Sequence, residues 1–534
     1  MNETRRRRVG RERRRGVIIV VVLVVVALLT LAAYTFAELM LTHYESAQLS
    51  GRQLRSRNLV DSGVEAVRMY LIGDEAMREE AGGDFNNPMF FQAVPVAMSN
   101  DPMDQGNFTV LVPNIDDEGN LSGIRYGLED ESARLNINAL VEIDTLPSVD
   151  GRGLLMGLPG MTEDVADAIL DWMDEDEEAR EYGCESEYYQ ELDPPYHAKN
   201  GPLDTLEELL LVRGVTPELL FGSDTNRNGM VDTHEMNPTT MLDAASTTAE
   251  TTSVDTSMGS LDRGWLGYLT LHSQEKNVNS LGEPRIDLNM DDLEALYESV
   301  SVAVSEDWAR FIVLYRQYGP YDGDEQGESV SVVDVDFSKE GETRIAQVLD
   351  LIGKKVEVPE GGDDEGTVVA PVFPESEVEM AVYMPMLMDA VTVVGAPVIP
   401  GRLNINRAPR PLLMGIPGIE ETTVDEIINQ RALEPADEDE AMARRHETWL
   451  LTSGIVTLEE MKALSPMICA GGDVFRAQIV GYHENGIAAC RAEVIFDATA
   501  AVPRVVSWKE ISHLGRGYPL DVLGLQTGGM TSSP

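Results

Sequence analysis

Cysteine is scarce in this chain, and beyond the first few residues so are cations. The 534 residues hold three cysteines, Cys184, Cys469 and Cys490, and no C-x-x-C. No thiolate metal site is suggested. An oxidising compartment permits one bridge, with Cys469 and Cys490 flanking a plausible hairpin; three free thiols are the alternative. Lys and Arg number 41 against 92 Asp and Glu, a net charge of −51. The first 16 residues hold eight Arg beside Glu3 and Glu12, which leaves about −57 for the remainder. Such a surface repels phosphate backbones, so no nucleic acid is expected, and it suits divalent cations and basic partners. The seven His are scattered without metal-type spacing. There is no G-x-S-x-G elbow and no phosphate loop. Carboxylates are too abundant for a catalytic pair to be singled out. Enzyme activity has no positive support. Apolar content of 43% is ample for packed cores, and the length suggests about two to four domains.

What is present begins at the N-terminus. No charged residue occurs in 17–37. A helix of that length spans roughly 30 Å, a bilayer's hydrocarbon thickness. Arg5, Arg6, Arg7, Arg8, Arg11, Arg13, Arg14 and Arg15 precede it. The positive-inside rule keeps that end cytoplasmic and exports the rest. Arg15-Gly16 meets Val17 with no polar spacer, and no small-residue cleavage site follows the apolar run. Beyond the span, Leu49, Leu54, Leu59, Val60, Val64, Val67 and Leu71 recur as on one helical face. This combination resembles a type IV prepilin or type II secretion pseudopilin. The resemblance implies cleavage between Gly16 and Val17 by a prepilin peptidase; an uncut signal anchor is the alternative. Val17 stands where that family prefers Phe or Met, and Val21 where most pilins carry Glu.

Phe108-Thr-Val-Leu-Val112 and Ile124-Arg-Tyr-Gly-Leu128 read as strands. Phe475 to Val480, a turn at Glu484-Asn-Gly486, and Cys490 to Phe496 read as a hairpin, with an edge at Val505 to Glu510. An internal repeat lies between. Arg134-Leu-Asn-Ile-Asn138 recurs as Arg402-Leu-Asn-Ile-Asn406, and more weakly as Arg285-Ile-Asp-Leu-Asn289. Leu154-Leu-Met-Gly-Leu-Pro-Gly-Met161 recurs as Leu412-Leu-Met-Gly-Ile-Pro-Gly-Ile419. Proline ends one helix and glycine permits a tight turn, so both copies look like helix-hairpin-helix units. The DNA-binding form holds a phosphate at the turn and helix start. Here Thr162 and Glu420 replace the second turn glycine, and Glu163, Asp164 and Glu421 crowd the helix start. A helical scaffold is the preferred reading.

The segments Ile169-Leu-Asp-Trp-Met-Asp174, Tyr188-Tyr189, Asn200-Gly-Pro-Leu-Asp-Thr-Leu206 and Pro503-Arg-Val-Val-Ser-Trp508, with the repeats, resemble the type II secretion minor pseudopilin K family (general secretion pathway protein K). The resemblance implies an α+β fold: a pilin-like long N-terminal helix and antiparallel sheet, with a large inserted helical domain. It implies a place at the tip of a pseudopilus that supports protein export across the outer membrane. Other minor pseudopilins (I and J types) and the major pseudopilin would be partners. Two alternatives are a membrane-tethered DNA receptor of the competence type and a calcium-stabilised surface module.

Asp224, Asn226, Asn228, Met230, Asp232 and Glu235 fall at the ligand positions of an EF-hand loop, with Gly229 at its turn. Convergent hard oxygens point to calcium. A helix precedes only briefly, at Pro217 to Phe221. Asp171, Asp174, Asp176 and Glu185, with Gly183, form a second acidic cluster; calcium there is implied by the resemblance. The chain thus divides into a leader (1–16), a span (17–37), an amphipathic helix with first strands (38–133), and an inserted helical domain with the calcium loop (134–322). An acidic, Gly-rich linker with a short helix (323–400), a second hairpin repeat (401–468) and a C-terminal β-hairpin region (469–534) follow.

Overall fold

The computed structural model describes residues 13–98, 105–144, 151–230, 263–359, 366–433, 435–436, 438–483 and 489–525. One continuous helix, α1 (Arg13–Leu71), opens the chain. Gly16 and Val17 lie on its backbone. Among the described residues, one helix is long and apolar enough to cross a membrane, with mean hydropathy 2.9 in its richest window. The residues of α1 from Ile18 to Leu54 are almost all exposed. From Ser56 onward it is a different helix: Leu59, Val60, Val64, Val67 and Leu71 are buried.

What buries them is a seven-stranded antiparallel sheet. Strands β1 (Val94–Ala97), β2 (Gly106–Ile115), β3 (Leu121–Arg125) and β4 (Glu129–Asp130) come before the large insertion. Strands β5 (Val474–His483), β6 (Ala489–Asp497) and β7 (Arg504–Glu510) come after it. The main order is β1-β2-β5-β6-β7, with β3 on β2 and β4 on β5. Alternation of period two divides each strand between two faces. Phe108, Val110, Ile479, Ala492 and Val494 face α1. Leu111, Val480 and Tyr482 face the other way and are covered by Tyr518 and Leu523 of the C-terminal segment. Two glycines set the distance between helix and sheet. A Cβ on Gly481 would stand 2.4 Å from the Ser56 carbonyl oxygen and 2.8 Å from the Val60 nitrogen, and one on Gly63 would stand 2.7 Å from Ile479.

The neighbours β2 and β5 pair from Gln478↔Leu111 to His483↔Gly106. The chain leaves the sheet after β4 and returns to it at β5. Within that excursion each repeat start makes the same local structure. Leu135–Asn136 pairs in parallel with Leu269–Thr270, Ile286–Asp287 with Val391–Thr392, and Leu403–Asn404 with Ile468–Cys469. The third residue of each start accepts the N–H two residues on, at 3.1 Å (Asn136), 2.8 Å (Asp287) and 2.9 Å (Asn404). That side-chain turn ends the strand. The fifth residue, Asn, binds the backbone of a distant segment: Asn138 at Leu203, Asn289 at Ile345, Asn406 at Arg444 and Ala470. The weak third copy is therefore a full structural equivalent.

The second motif of the repeat forms α2 (Gly151–Met156) with α3 (Glu163–Met173), and α5 (Arg410–Met414) with α6 (Glu421–Arg431). Gly160 and Gly418 turn each pair at φ +70° and +86°. Arg152 bonds Asp167 at 2.6 and 2.8 Å, and the equivalent Arg410 pairs with Asp425. Arg410 also holds Glu421 at 2.9 Å, so that carboxylate occupies the helix start. The two pairs meet back to back: a Cβ on Gly157 would lie 3.0 Å from Gly415 Cα.

The 323–400 stretch corrects the expectation of a linker. Residues Val348, Leu349, Leu351 and Phe373 share one core with Leu135 at one end of the insertion and Ile468 at the other. Helix α4 (Glu377–Ala390) also buries Met384 and Leu387 in it. Among the described acids of the stretch most are exposed, as at Asp324, Glu325 and Glu357, between these apolar anchors; Glu360, Asp363, Asp364 and Glu365 lie outside the described residues. The expected short helix is a 3₁₀ turn, Val348–Leu351. The three cysteines are free and buried. The Glu484-Asn-Gly486 turn and residues 239–260, rich in Thr and Ser, lie outside the described residues.

Overpacking a well-filled contact costs about 1–3 kcal/mol. Gly481→Ala is accordingly expected to lower the stability of the detergent-solubilised chain by that amount in denaturant titration. Gly51→Ala, with nothing within 4 Å of the added carbon and a better helix former in place of glycine, should not lower it.

Candidate metal centre

The second acidic cluster is the better formed of the two sites. Asp171 lies in the last turn of α3 and Asp174 is its C-cap. The chain then loops back, and Glu185 caps the short helix Ser186–Gln190. Carboxylate oxygens of Asp171, Asp174 and Glu185 all lie within 4.8 Å of one another. The return is possible because residue 183 is glycine: a Cβ there would stand 1.8 Å from Asp171 Oδ2. Trp172, Tyr189 and Tyr196 pack the far side, with ring centroids 5.0 to 6.1 Å apart. Asp176 is exposed and outside this group; its carboxylate accepts the Glu178 N–H at 2.8 Å.

One cation enters the cluster. Arg180 Nη1 lies 2.8 Å from Asp171 Oδ1 and 2.5 Å from Asp174 Oδ2. That leaves Asp174 Oδ1 and both oxygens of Glu185 buried with no hydrogen-bond partner. Glu185 is 6% exposed. Burial, then the charges of Asp171 and Asp174, push its carboxyl up to about 8. An orphaned, dry carboxyl beside two others is the donor set of a hard divalent cation. Asp171, Asp174 and Glu185 would hold calcium, with no thiolate or imidazole among them.

The EF-hand-like loop is half described. The helix before it is Pro217–Phe221, as its sequence predicts. Asp224 accepts the Asn228 and Gly229 N–H groups at 3.1 and 2.9 Å, and Asn228 Oδ1 accepts the Met230 N–H at 2.7 Å. Gly229 turns the chain at φ +67°. Asp232 and Glu235 lie outside the described residues. The loop is seated on the outer face of the sheet. Asn228 Nδ2 donates to the Gly517 carbonyl at 2.7 Å, Gln478 Nε2 donates to the Arg227 carbonyl at 2.7 Å, and the wholly buried Arg491 donates to the Asn226 carbonyl. Met230 packs against Leu111 and Val480. Sequence reasoning missed Arg180 and Arg491. An arginine nine residues after Asp171, within a run of acids, was a usable signal for the first. Nothing local marks the second, which comes from a strand 265 residues away.

In chelator, the fold holds Glu185 protonated to about pH 8, while the unfolded carboxyl ionises near 4.3. The native state binds the extra proton between those values, so stability is greatest below the lower one. It falls as pH rises towards 8 and then levels. Thermal melts from pH 5 to 9 with EDTA should show this decline, and Glu185→Gln should flatten it.

Residues 133–221, which contain this cluster, match the family described as type II secretion system (T2SS), protein K. A putative type II secretion system protein K of Escherichia coli K12 is 31% identical over 106 residues, 18% of this chain and 32% of the relative. The type II secretion system protein K of Aeromonas hydrophila is 33% identical over 124 residues, 22% of this chain and 36% of the relative. The chain thus spans about a third of the length of the curated relatives it matches. A chain of the GspK-GspI-GspJ complex from the enterotoxigenic Escherichia coli type 2 secretion system is 12% identical, with 88% of this chain and 99% of that one covered and a TM-score of 0.31. At that score the two folds are not close enough to argue from. The match at residues 133–221 is to the family that the motifs of the chain resemble.

Proposed function

We propose that the chain is a minor pseudopilin of a type II secretion system, an assembly protein rather than an enzyme. The observation that carries the reading is the placement of residues 133–221: they lie within an insertion that leaves and re-enters a sheet packed on the upper half of a helix whose lower half is exposed and apolar. The lower half is a single-pass anchor in the inner membrane, with the N-terminus cytoplasmic and the bulk of the chain periplasmic. A prepilin peptidase trims the leader between Gly16 and Val17. The freed helix then packs among the helices of neighbouring subunits, the I- and J-type minor pseudopilins and the major pseudopilin. The insertion is too bulky for another subunit to add above it, which suits a place at the tip. Val21 in place of Glu fits that place, since a leading subunit has no terminal amine ahead of it to pair with.

In this reading α2 with α3 and α5 with α6 are helix-hairpin-helix-like scaffold units, their helix starts filled by Glu163, Asp164 and Glu421. Calcium is structural. It neutralises Asp171, Asp174 and Glu185 at one site and closes the Asp224 to Glu235 loop at the other, locking the insertion to the sheet. Millimolar calcium should raise the melting temperature of the protein, and Asp171→Asn should remove a large part of that rise. Deleting the gene should abolish release of exoproteins from the cell. Normal release in the deletion strain would overturn the proposal.

A further inference from the structure

Helix α4 (Glu377–Ala390) lies outside residues 133–221 and presents an apolar face that no described residue covers. Its inner side is well packed: Met380, Tyr383, Met384, Leu387 and Met388 are buried. Its outer side carries Val378, Val382 and Met386, which are 80%, 68% and 44% exposed. Positions four apart fall one above another on a helix, so the three form a single stripe about two turns long. The stripe is extended at its C-terminal end. Ser280 bonds both oxygens of Asp389, at 2.7 and 2.8 Å, and its neighbour Leu281 is 82% exposed. Scattered apolar residues on a surface need no explanation, whereas a contiguous stripe marks an interaction site.

The rim determines what fits. Glu375, Glu377 and Glu379 are exposed around one end of the stripe, and Asp389 stands at the other. Between Lys355 and Arg402 the chain has nine carboxylates and no cation. A second copy of the chain would set these same carboxylates against each other, and like charges across an interface are strongly unfavourable. A membrane surface of anionic lipid is excluded on the same ground. We propose that the Val378–Val382–Met386 face docks an amphipathic helix of a partner protein, one with an apolar stripe at i, i+4 and i+8 flanked by lysine or arginine. The apolar stripes interdigitate as ridges into grooves, and the basic flanks meet Glu375, Glu377, Glu379 and Asp389.

The test uses the full chain in phosphatidylcholine nanodiscs and two synthetic helical peptides. Both have leucine at i, i+4 and i+8; one is flanked by lysine, the other by glutamate. Hydrogen exchange locates the bound peptide. The expected result is slowed exchange confined to 377–390 with the lysine peptide alone, and binding about tenfold weaker in Val382→Asp and in Met386→Asp. Both substitutions fall at exposed positions and add negative charge. Attraction by the chain's overall charge would therefore grow stronger in them, while docking on the stripe grows weaker. No binding, equal binding of the glutamate peptide, protection elsewhere, or unchanged or tighter binding to the variants overturns the proposal.

Discussion

The close approach of α1 to the sheet is the constraint on which the rest of the structure depends. Gly63 and Gly481 bring the helix backbone within contact of β5: a side chain at 481 would collide with Ser56 and Val60, and one at 63 with Ile479. One unbroken helix thereby serves two surroundings. Its upper half is the core of a folded domain, and its lower half is exposed among the described residues. Because β2 and β5 are neighbours in that sheet, the insertion leaves and returns at adjacent points and is held at both ends.

Buried charge pins those ends. Arg134 bonds Glu129 at 2.6 Å with both side chains 6% exposed, and Arg476 of β5 bonds the fully buried Glu131 at 2.5 Å. Burial opposes ionisation of Glu129, yet Arg134 and Arg263 outweigh it and hold its carboxyl down at about 2. Arg402, the equivalent of Arg134, bonds Glu275 and Glu447 at 2.6 and 3.0 Å. Desolvation offsets much of the Coulomb gain in such pairs, so they are weak sources of stability. Their directional geometry fixes how the inserted core meets the sheet, and losing one partner would strand the other. The acidic cluster carries the opposite sign of problem: Asp171, Asp174 and Glu185 have more carboxylate than Arg180 neutralises, an excess that the proposed divalent cation would offset.

Elements with local signals were legible in the sequence. The charge-free run and its amphipathic continuation gave α1; alternation gave β2, β5 and β6; turn residues gave the Arg-Leu-Asn-Ile-Asn starts. The pairings those starts make were not legible, because their partners lie 65 to 134 residues away as two-residue pieces. The 323–400 stretch misled for a related reason. Its acids are conspicuous in the sequence, while Val348, Leu351 and Phe373 are spaced too irregularly to show a period, yet all three are buried. Of the two acidic sites, the stronger sequence pattern belongs to the Asp224 loop, and the fuller geometry belongs to Asp171, Asp174 and Glu185. A consensus is written along the chain, but the three carboxylates converge only because glycine at 183 lets two segments meet.

The account stands most directly on the fate of the arginine-rich head of α1. Intact-mass measurement of the protein extracted from its native membrane decides it. The account predicts a chain that begins at Val17, lighter by residues 1–16. A mass that still includes those residues would contradict it.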